Sequence, residues 1–515
     1  MNSGKLCISL SARKASELFE KIERADQLAD VIEIRFDLLD SGEVAKVLAG
    51  FEEISVNADL LATNRPAADS DSKAFEERIR FWESILTTKR FRYIDLEEDL
   101  VFALSYNRVF SPELLAGHEI IGSHHNFYET PPDIGPVLKA FEPDPDSSFK
   151  CDAVKIATTA NSITDTIELW YVLDWAKHYG MQAVPIAMGE AGKWTRILGL
   201  AHGAFLTYAA LDQGGRTAPG QITADDLLHV YRVKELDRGT QVYGVIAGDT
   251  SYSMSPYIQN AAFGKAAMNR VFVPLQVDYL GEFISKMVRP ASREIDLNFH
   301  GFAVTNPHKQ AIIDHLDEID ETARAIGAVN TVFIKDGKLA GTNTDAVGFL
   351  EPLVERFGSL VNSRVLIHGA GGAARACVHA LQTAGAEVIV TARYDTKAKA
   401  LAEEFEIAFV DSRDRNLAST KPDILVNATP AGTRGDLENV SIATADELNG
   451  VKLVYDLTYN PRETRLIREA CAAGCETLDG LKMLIAQGAL QFKLWTGEAP
   501  DREAMQATAI DRLSK

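Results

Sequence analysis

Short apolar runs separated by helix-length segments fill the first 210 residues of the chain. Eight of these runs have the length of strands, at residues 5–10, 31–36, 59–63, 92–96, 118–123, 152–157, 181–187 and 203–208. The segments between them have helical periodicity; Leu18, Ile22 and Ala25, for example, fall on one helix face. Eight strand–helix alternations predict a (β/α)8 barrel, although periodicity alone fits an open doubly wound sheet equally well.

The ends of the predicted strands are more polar than stability requires. The active site of a barrel is built from the carboxyl ends of its strands and the loops after them. The pattern therefore predicts one converging site and favours the barrel. The polar residues at or soon after the strand ends are Ser9, Glu33, Arg35, Arg65, Glu97, His125, Lys155 and Arg196.

A second α/β pattern follows a polar, charged stretch that ends near residue 241. A new strand begins at Val242, and residues 364–374 have the pattern of a strand, a glycine-rich turn and a helix. We place a domain boundary in the charged stretch.

Composition narrows the class of protein. A chain of 515 residues predicts about three domains, and 46% hydrophobic with 24% charged residues is ordinary globular usage. The formal net charge is −20, and no basic patch is present, which argues against a nucleic-acid partner.

Cellular location is indicated by the cysteines and the apolar runs. The five cysteines have neither zinc-site spacing nor disulfide-scaffold density, which favours a reducing compartment. No apolar run is long enough to cross a membrane, and the N-terminus lacks a signal sequence. We expect a cytoplasmic protein without a membrane partner, with a mature plastid form as the alternative.

Four residues in the first half carry candidate chemistry. Lys155 shares a strand face with two alanines, so burial in a barrel favours a neutral amine that can form a Schiff base; an exposed lysine at a strand end fits equally well. His125 suits a general base, but the adjacent His124 leaves the choice open. Glu33 and Arg35 share a strand face and either bind a polyhydroxylated anion or pair with each other.

Five motifs give the first half a specific resemblance. They are Glu33-x-Arg35-x-Asp37, Ser123-His124-His125-Asn126-Phe127, Lys155-Ile156-Ala157, Met188-Gly189 followed by Arg196, and Ala218-Pro219-Gly220-Gln221. In order and spacing this set resembles type I 3-dehydroquinate dehydratase over residues 5 to about 230. The resemblance implies that Lys155 forms an imine with the substrate ketone, that His125 shuttles the C2 proton, and that no metal is needed.

The same resemblance implies a set of substrate-binding residues, and the chain departs from the family pattern at two positions. Asp69 stands where the family usually has a glutamate that orients the histidine, and it is expected to take that role. Thr217 replaces a more usual serine and keeps the hydroxyl. The residues implied to hold the substrate's hydroxyls and carboxylate are Ser9, Glu33, Arg35, Arg65, Arg196, Thr217 and Gln221.

The glycine-rich turn of the second half has the pattern of a dinucleotide site. Residues 369–374 match G-x-G-x-x-A between a strand and a helix, where a phosphate can approach the helix N-terminus. The next strand ends at Arg393, with Lys397 four residues on, where an NAD site usually has an acidic residue. Two cations there favour the 2′-phosphate of NADP, although Lys397 also fits a solvated helix position.

A lysine and an aspartate precede this turn in the chain. On spacing alone, Lys309 and Asp345 fit an ordinary turn and a helix N-cap. A longer set of motifs, however, resembles shikimate dehydrogenase throughout residues 242–515. These motifs are Ser253-x-Ser255-Pro256, Val304-Thr305-x-Pro307-His308-Lys309, Gly327-Ala328-Val329-Asn330-Thr331, Asn343-Thr344-Asp345, the glycine turn, Val426-Asn427-Ala428-Thr429-Pro430, Tyr455-Asp456-Leu457-x-Tyr459-x-Pro461 and Asp479-Gly480-x-x-Met483-Leu484-x-x-Gln487.

This resemblance implies a role for each group of residues. Lys309 is the catalytic acid/base and Asp345 its partner. The substrate is held by Ser253, Ser255, Thr305, Asn330, Thr344, Tyr459 and Gln487. The cofactor is held by Gly369, Ala370, Gly371, Gly372, Ala373, Arg393, Lys397, Asn427, Thr429, Leu457 and Gly480.

Together the two halves predict an α/β chain with two consecutive activities: a barrel that dehydrates 3-dehydroquinate, and a two-lobed dehydrogenase with a Rossmann NADP-binding domain that reduces 3-dehydroshikimate to shikimate. The rivals are a quinate-utilising dehydrogenase fusion and a non-catalytic metabolite sensor. The four catalytic side chains argue against the sensor, because binding alone does not need their proton chemistry. We predict the barrel over residues 1–230, a linker over 231–241, a substrate domain over 242–347 plus 485–515, and the NADP-binding domain over 348–484.

Overall fold

The structure is a computed structural model that describes residues 2–66, 72–107, 109–144, 149–411 and 420–514. These residues form two compact units. The first unit contains residues 1–241, 249–251 and 273–298, and the second contains residues 242–248, 252–272 and 299–515.

A curled parallel sheet forms the centre of the first unit. Its strand order is β7-β6-β5-β4-β3-β2-β1-β8-β9. Phe205 N, just before β8, donates a 2.8 Å hydrogen bond to Ala183 O in β7, which brings the two sides of the sheet together. The strands are β1 (Lys5–Leu10), β2 (Val31–Arg35), β3 (Asp59–Thr63), β4 (Tyr93–Glu97), β5 (Glu119–Asn126), β6 (Ala153–Thr159), β7 (Gln182–Met188), β8 (Leu206–Ala210) and β9 (Ile222–Thr223).

Helices alternate with these strands as the periodicity predicts. In α1 the residues Leu18, Ile22 and Ala25 are buried, which confirms the predicted apolar face. The helices are α1 (Ala15–Ala25), α2 (Glu43–Gly50), α3 (Ser72–Thr87), α4 (Glu98–Asn107), α5 (Pro112–Leu115), α6 (Gly135–Lys139), α7 (Thr166–His178) and α8 (Lys193–Leu198). The predicted α/β class with an N-terminal barrel is confirmed.

Apolar side chains from the strands form a cluster in the interior of the curled sheet. Ala153 and Ala157 of β6 lie in the interior cluster, so the intervening Lys155 also faces inward. Several expected strand boundaries are wrong by two or three residues, and one of them affects the site: β5 extends to Asn126, three residues past its predicted end, so His125 lies within the strand rather than beyond it. Pairing with β6 as far as Asn126 extends β5 and fixes which way His125 points.

A six-stranded mixed sheet follows, with strand order β11-β10-β12-β14-β15-β13. Strands β10 and β12 are parallel, whereas β14 runs antiparallel to both β12 and β15. The strands are β10 (Gln241–Ala247), β11 (Arg270–Gln276), β12 (Phe299–Val304), β13 (Glu318–Ile319), β14 (Thr331–Lys335) and β15 (Lys338–Thr342), and the helices are α9 (Ser255–Lys265), α10 (Leu280–Phe283), α11 (Glu321–Ile326) and α12 (Asp345–Phe357).

A third sheet is parallel throughout, with strand order β18-β17-β16-β19-β20-β21. This is the doubly wound order in which ligands bind at the carboxyl ends of the central strands. The strands are β16 (Arg364–His368), β17 (Glu387–Thr391), β18 (Ala408–Phe409), β19 (Ile424–Asn427), β20 (Leu453–Asp456) and β21 (Glu476–Leu478), with helices α13 (Gly372–Thr383), α14 (Asp395–Phe405) and α15 (Arg465–Ala472).

Two C-terminal helices, α16 (Gly480–Thr496) and α17 (Arg502–Leu513), close the chain. Phe492 and Met505 from these helices share a core cluster with Ile258 and Phe263 of α9. Among the described residues, none of the helices combines the length and apolar character needed to cross a membrane.

Candidate active sites

Lys155 is the centre of a polar cluster inside the barrel. Its Nζ donates to Asp95 Oδ2 at 2.9 Å and lies 3.6 Å from Glu33 Oε1. The ammonium also lies over the Tyr208 ring, 4.2 Å from its centroid. Only 5% of the Lys155 side chain is exposed. The interior position predicted from strand alternation is therefore the observed one.

Asp95 accepts hydrogen bonds from several members of this cluster, although the sequence did not mark it as a site residue. Arg65 donates to both Asp95 oxygens at 2.8 and 2.7 Å, and Ser123 Oγ donates to Oδ1 at 2.5 Å. Burial raises the pKa of Asp95, but the charges of Arg65 and Lys155 outweigh it and hold that pKa well below its usual range. The signal was alternation in β4, which puts Asp95 on the same face as interior Tyr93.

The two adjacent histidines point to opposite faces of β5. His125 lies opposite interior Ala157, with Nδ1 3.4 Å from Glu97 Oε1 and its ring stacked on Phe127 at 5.9 Å. His124 Nδ1 instead contacts Glu98. The strand register thus gives the two histidines different surroundings, and the one that faces the interior is the histidine that the resemblance implies.

His125 has the protonation state that a general base needs. Burial and the charge of Arg65 lower its pKa to about 4, while Glu97 opposes this shift. At neutral pH the imidazole is therefore uncharged. Asp69, the residue predicted to orient the histidine, lies outside the described residues. The described carboxylate beside His125 is Glu97, which the sequence marked only as a polar strand end.

Glu33 and Arg35 do not form the ion pair that was the alternative interpretation. Glu33 accepts hydrogen bonds from Ser9 Oγ and from Thr63 Oγ1, the latter at 2.9 Å. Burial raises the pKa of Glu33, but the charges of Lys155 and Arg35 lower it by more than burial raises it. The net shift is downward, so the carboxylate is ionised. Arg35 makes two hydrogen bonds to Asp37, at 3.0 and 2.7 Å.

Arg196 is a buried cation with little to neutralise it. It is 3% exposed, its Nη1 donates to Tyr208 O at 3.4 Å, and its Nε has no hydrogen-bond partner among the described residues. Burial lowers the pKa of Arg196 to about 10, which still leaves it charged at neutral pH. Such a group can take an anion from solution.

Thr217 and Gln221 form a pair of their own. Thr217 N and Oγ1 donate to Gln221 Oε1 at 2.7 and 3.2 Å. Ala218, next in the chain to Thr217, packs against the interior cluster of the barrel.

In the second unit, Lys309 and Asp345 meet. Lys309 Nζ donates to Asp345 Oδ2 at 2.5 Å. Asp345 begins α12, where the helix dipole favours a carboxylate, and it is 4% exposed. Asn330 Nδ2 donates to Asp345 Oδ1 at 2.8 Å and to Thr344 Oγ1 at 2.9 Å, and lies 3.5 Å from Gln487 Oε1. Five predicted residues therefore form one connected group.

The predicted serines lie at the start of α9. Ser255 N donates to Ser253 Oγ at 3.3 Å. Tyr459 interacts with the backbone of Met254 between them, and burial raises the pKa of Tyr459 to about 12, so its hydroxyl stays protonated. Thr305 follows β12 and donates its backbone N–H to Ile246 O at 3.0 Å.

The glycine turn lies between β16 and α13 as predicted. Gly369 has φ +139°, and a Cβ there would lie 2.7 Å from Ala428 O. A Cβ at Gly371 would meet no atom within 4 Å, which leaves open space at the N-terminus of α13. Arg393 and Lys397 are exposed beside the end of β17. These features fit a dinucleotide that carries a 2′-phosphate.

The remaining cofactor candidates line the ends of β19 and β20. Asn427 Nδ2 donates to Asp456 Oδ1 at 2.9 Å and to Ala431 O at 3.0 Å, while Thr429 Oγ1 donates to Asn427 Oδ1 at 2.6 Å. The Asn427 side chain thus holds the loop that follows β19. Gly480 lies so close to Leu457 O that a side chain there would collide with it.

Comparisons with known proteins divide the chain in the same order as its motifs. Residues 6–238 match type I 3-dehydroquinase, 245–332 the shikimate dehydrogenase substrate binding domain, 353–482 shikimate / quinate 5-dehydrogenase, and 480–510 the shikimate 5′-dehydrogenase C-terminal domain. A bifunctional 3-dehydroquinate dehydratase/shikimate dehydrogenase of the chloroplast of Arabidopsis thaliana is 31% identical over 98% of this chain and 83% of that protein.

The second half also matches single-activity proteins. The shikimate dehydrogenase (NADP(+)) of Methanocaldococcus jannaschii is 40% identical over 54% of this chain and 98% of that protein. A crystal structure of a shikimate dehydrogenase in complex with NADP+ superposes with a TM-score of 0.50 and 39% identity, covering 54% of this chain and 98% of that one.

Proposed function

Because this chain belongs to the family of bifunctional 3-dehydroquinate dehydratase/shikimate dehydrogenases, we propose that the two polar clusters described above are its two active sites. The chain is an enzyme of the shikimate pathway: it dehydrates 3-dehydroquinate to 3-dehydroshikimate and reduces that product to shikimate with NADPH. Quinate-utilising and sensor functions are not favoured. Location in the cytoplasm and the absence of a nucleic-acid partner stay predictions from the sequence.

The buried Lys155 beside a neutral His125 is the observation that carries the dehydratase assignment. His125 first takes a proton from Lys155 Nζ, and the neutral amine attacks the ketone carbon. His125 then returns that proton to the hydroxyl of the adduct, which leaves as water and gives a protonated imine. His125 then takes a proton from C2, and the imine accepts the electron pair to become an enamine. The C1 hydroxyl leaves as water with a proton returned by His125, and hydrolysis of the imine frees Lys155.

The surrounding residues suit an anionic, hydroxylated substrate. Arg196 is buried inside the barrel, and its Nε has no hydrogen-bond partner among the described residues, so we assign it to the substrate carboxylate. Ser9 and Glu33 lie beside Lys155 and are assigned to hydroxyls near the ketone. We assign the orientation of His125 to Glu97, and the role of Asp69 stays a prediction.

In the second site Lys309 donates a proton to the ketone oxygen of dehydroshikimate. Asp345 holds the Lys309 ammonium in place, and Asn330 fixes the carboxylate of Asp345. Gly371, Arg393 and Lys397 are assigned to the cofactor phosphates. When bound, NADPH supplies the hydride to the ketone carbon.

Borohydride trapping and a coupled assay test the two sites together. Reduction in the presence of 3-dehydroquinate should attach the substrate skeleton to Lys155, and peptide mass spectrometry should locate it there. The Lys155→Ala variant should show no adduct. With 3-dehydroquinate as the only substrate added, wild type should consume NADPH. An adduct that persists in Lys155→Ala, or no NADPH loss in wild type, would contradict the assignment.

A further inference from the structure

Arg375 connects the dinucleotide-binding turn to a segment outside the NADP-binding sheet. It lies in the first turn of α13, where its backbone N–H donates to Gly371 O at 3.0 Å, and it is 7% exposed. Its Nε donates to Ile326 O at 2.6 Å. Its other nitrogens hold both carboxylate oxygens of Glu404, one at 2.8 Å. The guanidinium is thereby fixed in one orientation.

The segment that Arg375 holds leads directly to the catalytic pair. Ile326 ends α11, and Gly327 follows with φ +65° at a point where a Cβ would collide with the guanidinium. Two and three residues later, Val329 N donates to Lys309 O at 2.7 Å and Asn330 Nδ2 donates to Asp345 Oδ1 at 2.8 Å. Residues 326–330 therefore join Arg375 to the backbone of Lys309 and to the carboxylate of Asp345.

The same turn of α13 touches Lys309 directly. A Cβ added at Gly372 would lie 2.9 Å from Cδ and 3.0 Å from Cβ of Lys309. The aliphatic part of Lys309 therefore passes over Gly372, at the N-terminus of the helix where the cofactor phosphates are expected. Two independent contacts thus join the cofactor turn to the acid/base pair.

We propose that Arg375 is a positioning residue that couples dinucleotide binding to the geometry of Lys309, Asp345 and Asn330. A dinucleotide that fixes the first turn of α13 also fixes residues 326–330. Less conformational entropy is then lost when shikimate binds. The two ligands then bind with positive cooperativity, and the coupling is equal in both directions. This inference rests on the proposed function of the second site.

Calorimetry on a ternary complex that cannot react tests the coupling. Shikimate and NADPH are both reduced, so they bind together without turnover. In wild type, saturating NADPH should lower the Kd of shikimate by about fivefold or more. In Arg375→Met the Kd of shikimate without NADPH, divided by its Kd with saturating NADPH, should fall to about one. The Kd of NADPH measured without shikimate should change much less than this ratio does. In steady state, kcat for shikimate oxidation should fall more than the KM for NADP+ rises.

Two control variants separate coupling from general damage. Glu404→Gln removes the carboxylate beside the buried Arg375 guanidinium, which should lower Tm. The Nε bond to Ile326 does not involve Glu404, so this variant should retain most of the coupling. Arg364→Met removes an exposed arginine at the opposite end of β16 and should behave as wild type. If Arg375→Met does not fold, Arg375→Lys replaces it, because one ammonium cannot hold Ile326 and both Glu404 oxygens.

Unchanged coupling in a folded Arg375 variant, or no coupling in wild type, would overturn the inference. Failure of the underlying function is distinguishable, because wild type would then neither bind shikimate nor oxidise it with NADP+.

Discussion

His124 and His125 are neighbours in one strand, and the twofold alternation of β5 gives them different surroundings. His125 faces the interior near Glu97, whereas His124 contacts Glu98 on the other face. We expect His125→Ala to lower the dehydratase kcat by about 10²- to 10⁴-fold, the usual contribution of a general base. His124→Ala should change kcat little. Equal losses in the two variants, measured by the absorbance of the product, would contradict this assignment.

The low pKa of His125 sets the acidic limit of the dehydratase. The neutral imidazole is the form that accepts a proton, and burial with the charge of Arg65 lowers its pKa to about 4 from 6.5. Activity should therefore persist as pH falls through 6.5 and be lost only as the pH approaches 4. The pH profile of kcat/KM for 3-dehydroquinate reports this value for the free enzyme. An acidic limb centred near pH 6.5 would show that His125 is not the base.

Arg196 should lower the stability of the folded protein and strengthen the binding of the substrate. Its buried guanidinium has an Nε without a hydrogen-bond partner in the described structure. Burying such a polar group costs on the order of 1–3 kcal/mol. Arg196→Met should accordingly raise Tm while increasing KM for 3-dehydroquinate by about tenfold or more. A variant with lower Tm and unchanged KM would identify Arg196 as a structural residue instead.

At the level of elements, strand alternation predicted the interior face of Lys155, whereas most other barrel-site residues were named from the motifs. The pattern in β4 places Asp95 and Glu97 on the interior face with Tyr93. The sequence did not mark Asp95, because Ser123 and Lys155 come from other strands and Arg65 comes from the loop after β3. Their convergence depends on strand order and register, which no local pattern contains.

The glycine turn of α13 contains two glycines with different roles. Gly369→Ala should destabilise the NADP-binding domain by on the order of 1–3 kcal/mol, because its φ of +139° is strained for alanine and Ala428 O is close. Gly371→Ala should keep the fold, because a Cβ there meets no protein atom, but it should raise the Kd of NADPH by about tenfold or more by occupying phosphate space. Melting curves and calorimetry distinguish the two effects. Identical behaviour of both variants would refute the distinction.

For the whole molecule, the two activities should be separable. The residues around Lys155 belong to the first unit, and those around Lys309 belong to the second. Lys155→Ala should abolish the dehydratase and leave kcat and KM of shikimate oxidation unchanged, while Lys309→Met should do the reverse. Loss of both activities in either folded variant would show that one site depends on the other.

The net charge of −20 opposes the binding of anionic substrates to this chain. Binding must therefore depend on cations concentrated in particular sites. The structure provides Arg196 inside the barrel, Lys309 beside Asp345, and Arg393 with Lys397 near the end of β17. Overall charge thus limits the choice of partners but does not locate the sites.

The sequence by itself determined the alternation of strands and helices, the shared face of Lys155 and its two neighbouring alanines, the glycine turn and the pair of cations that favours NADP. These features are local, because they depend on periodicity, on residue type and on backbone freedom within a few positions. Only the tertiary structure showed which residues these side chains contact. It put Asp95 beside Lys155 and Glu97 beside His125, and it connected Arg375 to Lys309. Those relations join residues that lie on different strands or helices, and their distances are set by register and packing.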